Sequence, residues 1–212
     1  MKTFSEYTQS KSHSIKESTD PQHTLFPASK DDLKRMIKDE IKKQGSSADL
    51  NHIDVSKMTD FSHLFEYSAF NGDVSSWDVS NVKDMSYMFS SSSFNGDLSD
   101  WDVSNVTNMY EMFYKCTSFN QDLSGWDVSK VTDMSHMFEN SNFNGDISTW
   151  DVRNVKNMSF MFNNSTFNGN LKKWNPRNAK NMRCMFYNAA EFNCNISRWN
   201  VSNVIDMSSM FE

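Results

Sequence analysis

Every tryptophan of the chain falls on one lattice: Trp77, Trp101, Trp126, Trp150, Trp174 and Trp199, spaced 24, 25, 24, 24 and 25. A fixed period of this length marks a chain built from repeated structural units, and it outranks any local reading. Six Phe keep step seven residues earlier, at Phe70, Phe94, Phe119, Phe143, Phe167 and Phe192. Twelve of the 15 Met form pairs three apart, such as Met85/Met88, Met109/Met112 and Met207/Met210. The unit reads F-N-G-D-[LIV]-S-x-W-D-V-S-N-V-x-[DN]-M-S-x-M-F, followed by four or five polar residues. A degenerate unit precedes these, with Asp49–Val55 matching Asp97–Val103, Ile53 in the Trp column, and Phe61, Leu64 and Phe65 in the Met, Met and Phe columns. The array therefore runs over 47–212.

Each unit has two halves with different periods. In Leu98–Val103, Trp101 and Val103 alternate with Asp, which predicts a short strand with Trp and Val pointing inward. Val106, Met109, Met112 and Phe113 follow at helical spacing, a stripe of about two turns, α or 3₁₀. Asn81/Asp84 and Asn203/Asp206 have the spacing of capping boxes for that stripe. One such unit cannot bury its apolar face alone, whereas stacked copies can. The expected fold class is an α/β repeat solenoid, a right-handed stack with one short parallel strand and one short helical turn per 24–25-residue coil. Six and a half coils at ~4.8 Å spacing make a stack of roughly 30 Å.

Gly follows Phe-Asn in the units with the shorter lead-in (Gly72, Gly96, Gly145, Gly169), while the two longer units carry Gln121 and Cys194 there. A tight corner requiring φ > 0 is the expected reason. In the fifth unit Pro176 and Ala179 replace Val, which predicts a weaker or bent strand. Upstream, residues 1–28 are polar, rich in Ser, Lys and Thr, and are expected to be disordered. A capping helix is expected over 29–46, with Ser29/Asp32 as its capping box, Leu33, Met36, Ile37 and Ile41 on one face, and Gly45 as its stop.

The quoted unit closely resembles the roughly 25-residue repeat of BspA-like bacterial surface proteins. These are leucine-rich-repeat-like proteins, many described as lipoproteins or as domains of unknown function. The resemblance covers 47–212 and implies a leucine-rich-repeat-like solenoid with surface or host-facing interactions. It brings no catalytic residues with it. The chain has no lipobox Cys, and Met1–Tyr7 lacks an apolar stretch, so no signal peptide is expected. Read alone, the residues point to the cytoplasm; the resemblance points to the cell surface or secretion. No run of 18 apolar residues suggests a transmembrane helix.

Candidate sites come from columns, the positions that recur in each unit. Asp73, Asp97, Asp122 and Asp146 form one column and Asp78, Asp102, Asp127 and Asp151 another; both switch to Asn in the last two units (Asn170, Asn195; Asn175, Asn200). Stacked carboxylates could hold Ca²⁺, and the first column supplies the weak metal candidates. The competing reading is Asx turns, a task Asn performs equally well, and the switch to Asn favours it. His63 and His136 share a variable column with Tyr87, Glu111, Phe160, Cys184 and Ser209, expected to be an exposed face. Cys116, Cys184 and Cys194 occupy three different columns and make no disulfide framework. No nucleophile–base pair or phosphate loop recurs, so no enzyme and no cofactor is expected.

Charge breaks the repeat symmetry. Residues 53–151 hold 16 Asp/Glu and 4 Lys, while residues 152–212 hold 8 Lys/Arg and 3 Asp/Glu. Arg153, Lys156, Lys172, Lys173, Arg177, Lys180, Arg183 and Arg198 are therefore expected to form a basic patch. The net charge of −6 argues against a chain dedicated to nucleic acid. The resulting expectation is a non-enzymatic scaffold that binds a protein partner, with polyanion binding (nucleic acid or acidic glycan) by the basic half as the alternative. No polar cap follows Met207, Met210 and Phe211, so a homodimer through the last coil is also expected.

Overall fold

A computed structural model describes residues 23–212 of the chain. The segment expected to be disordered lies outside the described residues up to residue 22, and residues 23–28 depart from that expectation. Leu25 forms a parallel bridge with Ile53. The Thr24 N–H donates to His52 O and the Asp54 N–H to Leu25 O, both at 2.9 Å. Leu25 is half-buried against the core. A local polar composition missed this segment because its backbone groups are satisfied by the first repeat rather than by each other.

Helix α1, Lys30–Gln44, is the one helix among the described residues. Its start is set by Ser29, whose hydroxyl accepts the Asp32 N–H at 3.2 Å. Its stop is Gly45, at φ 86° with its N–H donated to Ile41 O, a left-handed cap that costs glycine little. Leu33 and Ile37 are buried in the core that continues through Ala48 and Leu50, with Met36 and Ile41 packed against it. Burying those two side chains contributes about 1.5–3 kcal/mol each. Lys30 Nζ lies 2.8 Å from Asp60, so the helix is also tied to the first repeat by its edge.

Successive repeats lie one over the next. Parallel bridges join Asp60, Asp84, Asn108, Asp133, Asn157, Asn181 and Asp206 in order. The bridging position falls just before the Met pair, not in the Trp-Val segment where a strand is predicted. Trp101 and Val103 do point inward, at 3% and 1% exposure, but Trp101 closes a turn on Leu98 and Val106 a turn on Val103.

Among the described residues, linked turns stand where the helical stripe is expected. The Met–Met–Phe stripe consists of consecutive turns in which Met112 N–H donates to Met109 O and Cys116 N–H to Phe113 O. Glu111 and Lys115 sit at φ 51° and 52°, which no right-handed helix accommodates. The N–H groups of Met109, Glu111, Phe113 and Lys115 donate instead to Asp133, Ser135, Met137 and Glu139 of the next repeat. Two linked β-turns and two helical turns place apolar side chains at the same spacing, so periodicity alone cannot separate them. The Asn81/Asp84 capping box is likewise replaced: Asn81 Nδ2 donates to Ser56 O, and Asp84 Oδ1 accepts the Ser86 N–H.

Two ladders fill the interior and a third, of Asn, binds the repeats at the surface. Each indole N–H donates to a carbonyl of the preceding repeat, from Trp77 to Leu50 O at 2.9 Å through Trp199 to Leu171 O at 3.0 Å. Phe89, Phe113, Phe138 and Phe162 stack at 5.6, 5.6 and 5.8 Å. Asn95, Asn120, Asn144 and Asn168 each donate a backbone N–H to the side-chain oxygen of the Asn one repeat earlier.

Two expected local reasons change. Gly72, Gly96, Gly145 and Gly169 do not adopt positive φ; Gly45 alone does among the described glycines. They are glycine for space, since a Cβ at Gly72 would lie 2.0 Å from Ala48 O and one at Gly96 2.6 Å from the Phe94 ring. The Pro176 unit is altered locally: Arg177 N–H bonds to the Asn175 backbone carbonyl at 2.8 Å, where the other units bond to the side-chain oxygen, although Ala179 N–H still closes on Pro176 O at 3.0 Å.

Candidate functional site

The outer surface divides into faces set by column. The variable column of the M-S-x-M-F segment holds His63, Tyr87, Glu111, His136, Phe160, Cys184 and Ser209, all at φ between 51° and 60°. The left-handed backbone turns most of these side chains outward, although Cys184 is buried. They are not independent. His63 stacks on Tyr87 at 4.4 Å, Tyr87 meets the edge of Tyr110 at 5.0 Å, Tyr110 meets His136 at 5.6 Å, and His136 stacks on Phe160 at 4.7 Å. Tyr110 comes from the neighbouring column and fills the gap left by Glu111. The result is a continuous aromatic ribbon across five repeats.

Carboxylates flank that ribbon. His63 Nδ1 lies 2.7 Å from Glu66 Oε2, and His136 Nδ1 is in contact with Glu139. Burial, followed by Glu111 and Tyr87, raises the Tyr110 pKa far above its ordinary value, so the phenol stays protonated. Reading the variable column by itself hid this feature. Reading it together with the adjacent column, where Tyr110 replaces Ser, was the available signal.

The Asp columns have a defined backbone role. Asp73, Asp97, Asp122 and Asp146 each accept the N–H two residues on, at 2.9, 2.9, 2.8 and 2.8 Å. Asn170 and Asn195 make the same bond at 3.1 and 3.0 Å. The Ser75 and Ser148 bonds hold the Asp73 and Asp146 carboxyls below their ordinary pKa. Among the described residues no three His, Cys, Asp or Glu groups converge into a potential metal site.

All eight residues of the basic patch are exposed. Arg153 pairs with Asp151, its Nε 2.8 Å from Oδ1. Lys130, Lys156 and Lys180 line an open cleft of about 510 Å³ together with Thr107, Thr132, Asn154 and Asn178. Arg183 instead reaches Ser208, its Nη1 donating at 2.9 Å. Arg153 and Lys173 border a second cleft of about 380 Å³. The charges thus spread over more than one cleft rather than converging on one point.

The last repeat exposes Met207 and Phe211, at 41% and 59%, and buries Met210. Phe211 still stacks on Phe186 at 5.7 Å. Cys116, Cys184 and Cys194 are free thiols, and burial raises the pKa of Cys116. No helix of the described residues is long and apolar enough to cross a membrane.

The chain matches the family described as Mycoplasma protein of unknown function, DUF285, over residues 31–142 and again over 122–212, and it belongs to that family. Two overlapping matches are what a repeat array produces when one family unit spans several repeats. No curated protein and no solved structure matches the chain.

Proposed function

We propose that this DUF285 member is a non-enzymatic interaction scaffold: a right-handed, leucine-rich-repeat-like solenoid of BspA-like type that binds a partner protein through its outer surface. An adhesin-like, effector or assembly role fits that reading, with a surface or secreted location. Support for the architecture comes from the repeat unit and from the stacked Trp, Phe and Asn columns.

The aromatic ribbon carries the functional part. Left-handed φ costs a non-glycine residue roughly 1–2 kcal/mol, least for Asn. The second left-handed column, Tyr67, Ser91, Lys115, Asn140, Asn164 and Asn188, takes Asn at three of its six positions. The ribbon column takes neither Gly nor Asn at any of its seven and places His63, Tyr87, His136 and Phe160 there. Backbone demand is equal in the two columns, so the aromatics answer to something beyond the turn. Partly exposed aromatic side chains, Tyr and Phe among them, are enriched at protein interfaces.

The test is cross-linked capture with the intact chain against Tyr87→Ser/His136→Ser, serine being the residue of Ser209 in the same column. A partner held by the wild type and lost from the variant at unchanged melting temperature is expected. Identical captured proteins from both chains would refute the ribbon as the binding face. Pairing of two copies through Met207 and Phe211 is a separate contact, read by sedimentation at several concentrations. A monomer at high micromolar concentration would sink it.

A further inference from the structure

We propose that the cleft lined by Lys130, Lys156 and Lys180 binds a linear acidic polysaccharide lying along the stack, a site beyond the protein-binding ribbon. The basis is a change of charge in which the turn bond after each lysine is kept. Arg153-Asn154-Val155-Lys156 and Arg177-Asn178-Ala179-Lys180 stand in adjacent repeats where Ser104-Asn105-Val106-Thr107 and Ser129-Lys130-Val131-Thr132 stand before them. The next position is neutral in both basic repeats: Asn157 and Asn181 follow the lysines, whereas Asp84 follows Lys83.

These amides do the work of the carboxylates they replace. Asn157 and Asn181 accept the N–H two residues on at 3.2 and 3.0 Å, as Asp84 and Asp133 do at 2.8 and 2.9 Å. Turn geometry therefore does not call for the exchange. Its effect beside Lys156 and Lys180 is electrostatic. Asn175 also replaces the carboxylate that Asp151 presents to Arg153, which leaves Arg177 without that partner. Lys156 and Lys180 have no ion-pair partner among the described residues. Lys130 is held by Asn105 Oδ1 at 2.6 Å.

The lining selects the ligand class. Asn154 and Asn178 spend their Nδ2 groups on Ser129 O and Arg153 O, which orients both side-chain oxygens as acceptors for hydroxyl groups. Thr107 and Thr132 donate their hydroxyls to Lys83 O and Thr107 O, leaving their methyl groups for the C–H face of a sugar. No aromatic ring lines the cleft, so it lacks the stacking platform that single-stranded nucleic acids use. The column that carries the lysines also offers no ladder to an added peptide strand, since Thr132, Lys156 and Lys180 N–H groups are already bonded to Thr107, Thr132 and Lys156 carbonyls. A cleft of about 510 Å³ is within the size range of ligand sites. Lysines one repeat apart, at ~4.8 Å, suit a chain that carries an anionic group on successive sugars.

The test titrates the full chain with a heparin oligosaccharide at low and high salt, beside oligodeoxythymidylate and poly-glutamate of equal charge. Lys156→Thr/Lys180→Thr restores the residue that Thr107 and Thr132 hold in the same column, so folding is preserved. Lys38→Gln/Lys42→Gln on α1 removes the same charge elsewhere. Heparin affinity is expected to fall at least tenfold in the cleft variant and less than twofold in the α1 variant. Both other polymers are expected to bind at least tenfold more weakly than heparin. Equal heparin affinity in the cleft variant and the wild type, or an equal loss in the α1 variant, overturns the site. Oligodeoxythymidylate or poly-glutamate binding as tightly as heparin overturns the ligand class. Loss of partner capture by the ribbon variant with heparin binding intact separates this site from the protein-binding reading.

Discussion

Replacing Trp126 with Phe isolates one bond that ties repeat to repeat. The indole is 3% exposed, stacks on Trp150 at 6.3 Å, and donates its N–H to Leu98 O at 2.9 Å, 28 residues back in the chain. Phenylalanine keeps a ring in the column but leaves Leu98 O with the Trp101 N–H, at 3.2 Å, as its one remaining donor. Losing one of the two hydrogen bonds to that carbonyl costs ~0.5–1.5 kcal/mol. The smaller ring vacates space at about 24 cal/mol per Å³ of cavity, adding roughly 1 kcal/mol. The expected loss is therefore ~1.5–2.5 kcal/mol for Trp126→Phe, and ~3–5 kcal/mol or more for Trp126→Ala, which removes the ring as well. Urea titration followed by fluorescence of the remaining tryptophans measures both, and an unchanged slope confirms that one cooperative unit is being compared. A Trp126→Phe cost below about 0.5 kcal/mol, the range of neutral surface changes, would refute the indole bond as a tie between repeats.

Gly72→Ala should cost at least ~1–3 kcal/mol by overpacking, because the new Cβ would meet Ala48 O at 2.0 Å. Gly125→Ala, whose nearest contact is Ser99 O at 3.4 Å, should be neutral or stabilising by about 0.4–1 kcal/mol; equal effects in thermal melts would contradict the packing explanation. Millimolar Ca²⁺ should leave the melting temperature unchanged, since a ligand of the native state alone must raise it; a rise of several degrees reversed by EDTA would restore the metal reading of Asp73, Asp97, Asp122 and Asp146. Hydrogen bonds from the residue two positions on depress the carboxyls of Asp73, Asp102 and Asp146. Their stabilisation is full above the unfolded pKa of about 3.9 and is lost as pH falls through the folded values. Melting temperature should thus drop below pH ~4, and the triple Asp→Asn variant should drop less; a wild-type curve that stays flat or rises in acid would contradict this.

The columns were legible in the sequence because burial repeats with the unit. Trp101, Val103, Val106, Met109, Met112 and Phe113 all point inward. The caps of α1 were legible for the same kind of reason, since Ser29 and Gly45 act within a few residues of themselves. What failed depended on partners a whole repeat away. The N–H groups of Met109 and Glu111 bond to the next repeat, which turns a helical-looking stripe into linked turns. Gly72 is dictated by the carbonyl of Ala48, not by its own φ. Leu25 finds its partner at Ile53, beyond an intervening helix. The ribbon was hidden because Tyr110 belongs to a different column from the residues it joins.

Stacking of consecutive repeats in register is the premise of both proposed surfaces, and cysteine pairing tests it directly. In a background with Cys116, Cys184 and Cys194 changed to Ser, Thr107→Cys/Thr132→Cys places two thiols one repeat apart in adjacent, directly bonded positions, Thr132 N–H to Thr107 O at 2.9 Å. Their Cα atoms should be ~5 Å apart, inside the disulfide range of about 4.4–6.8 Å. Thr107→Cys/Lys156→Cys spans two repeats, roughly 10 Å, outside that range. Under mild oxidation at low protein concentration, stacked repeats predict rapid intramolecular closure of the first pair and none of the second. Closure of both pairs at similar rates, or of neither, would contradict the stack.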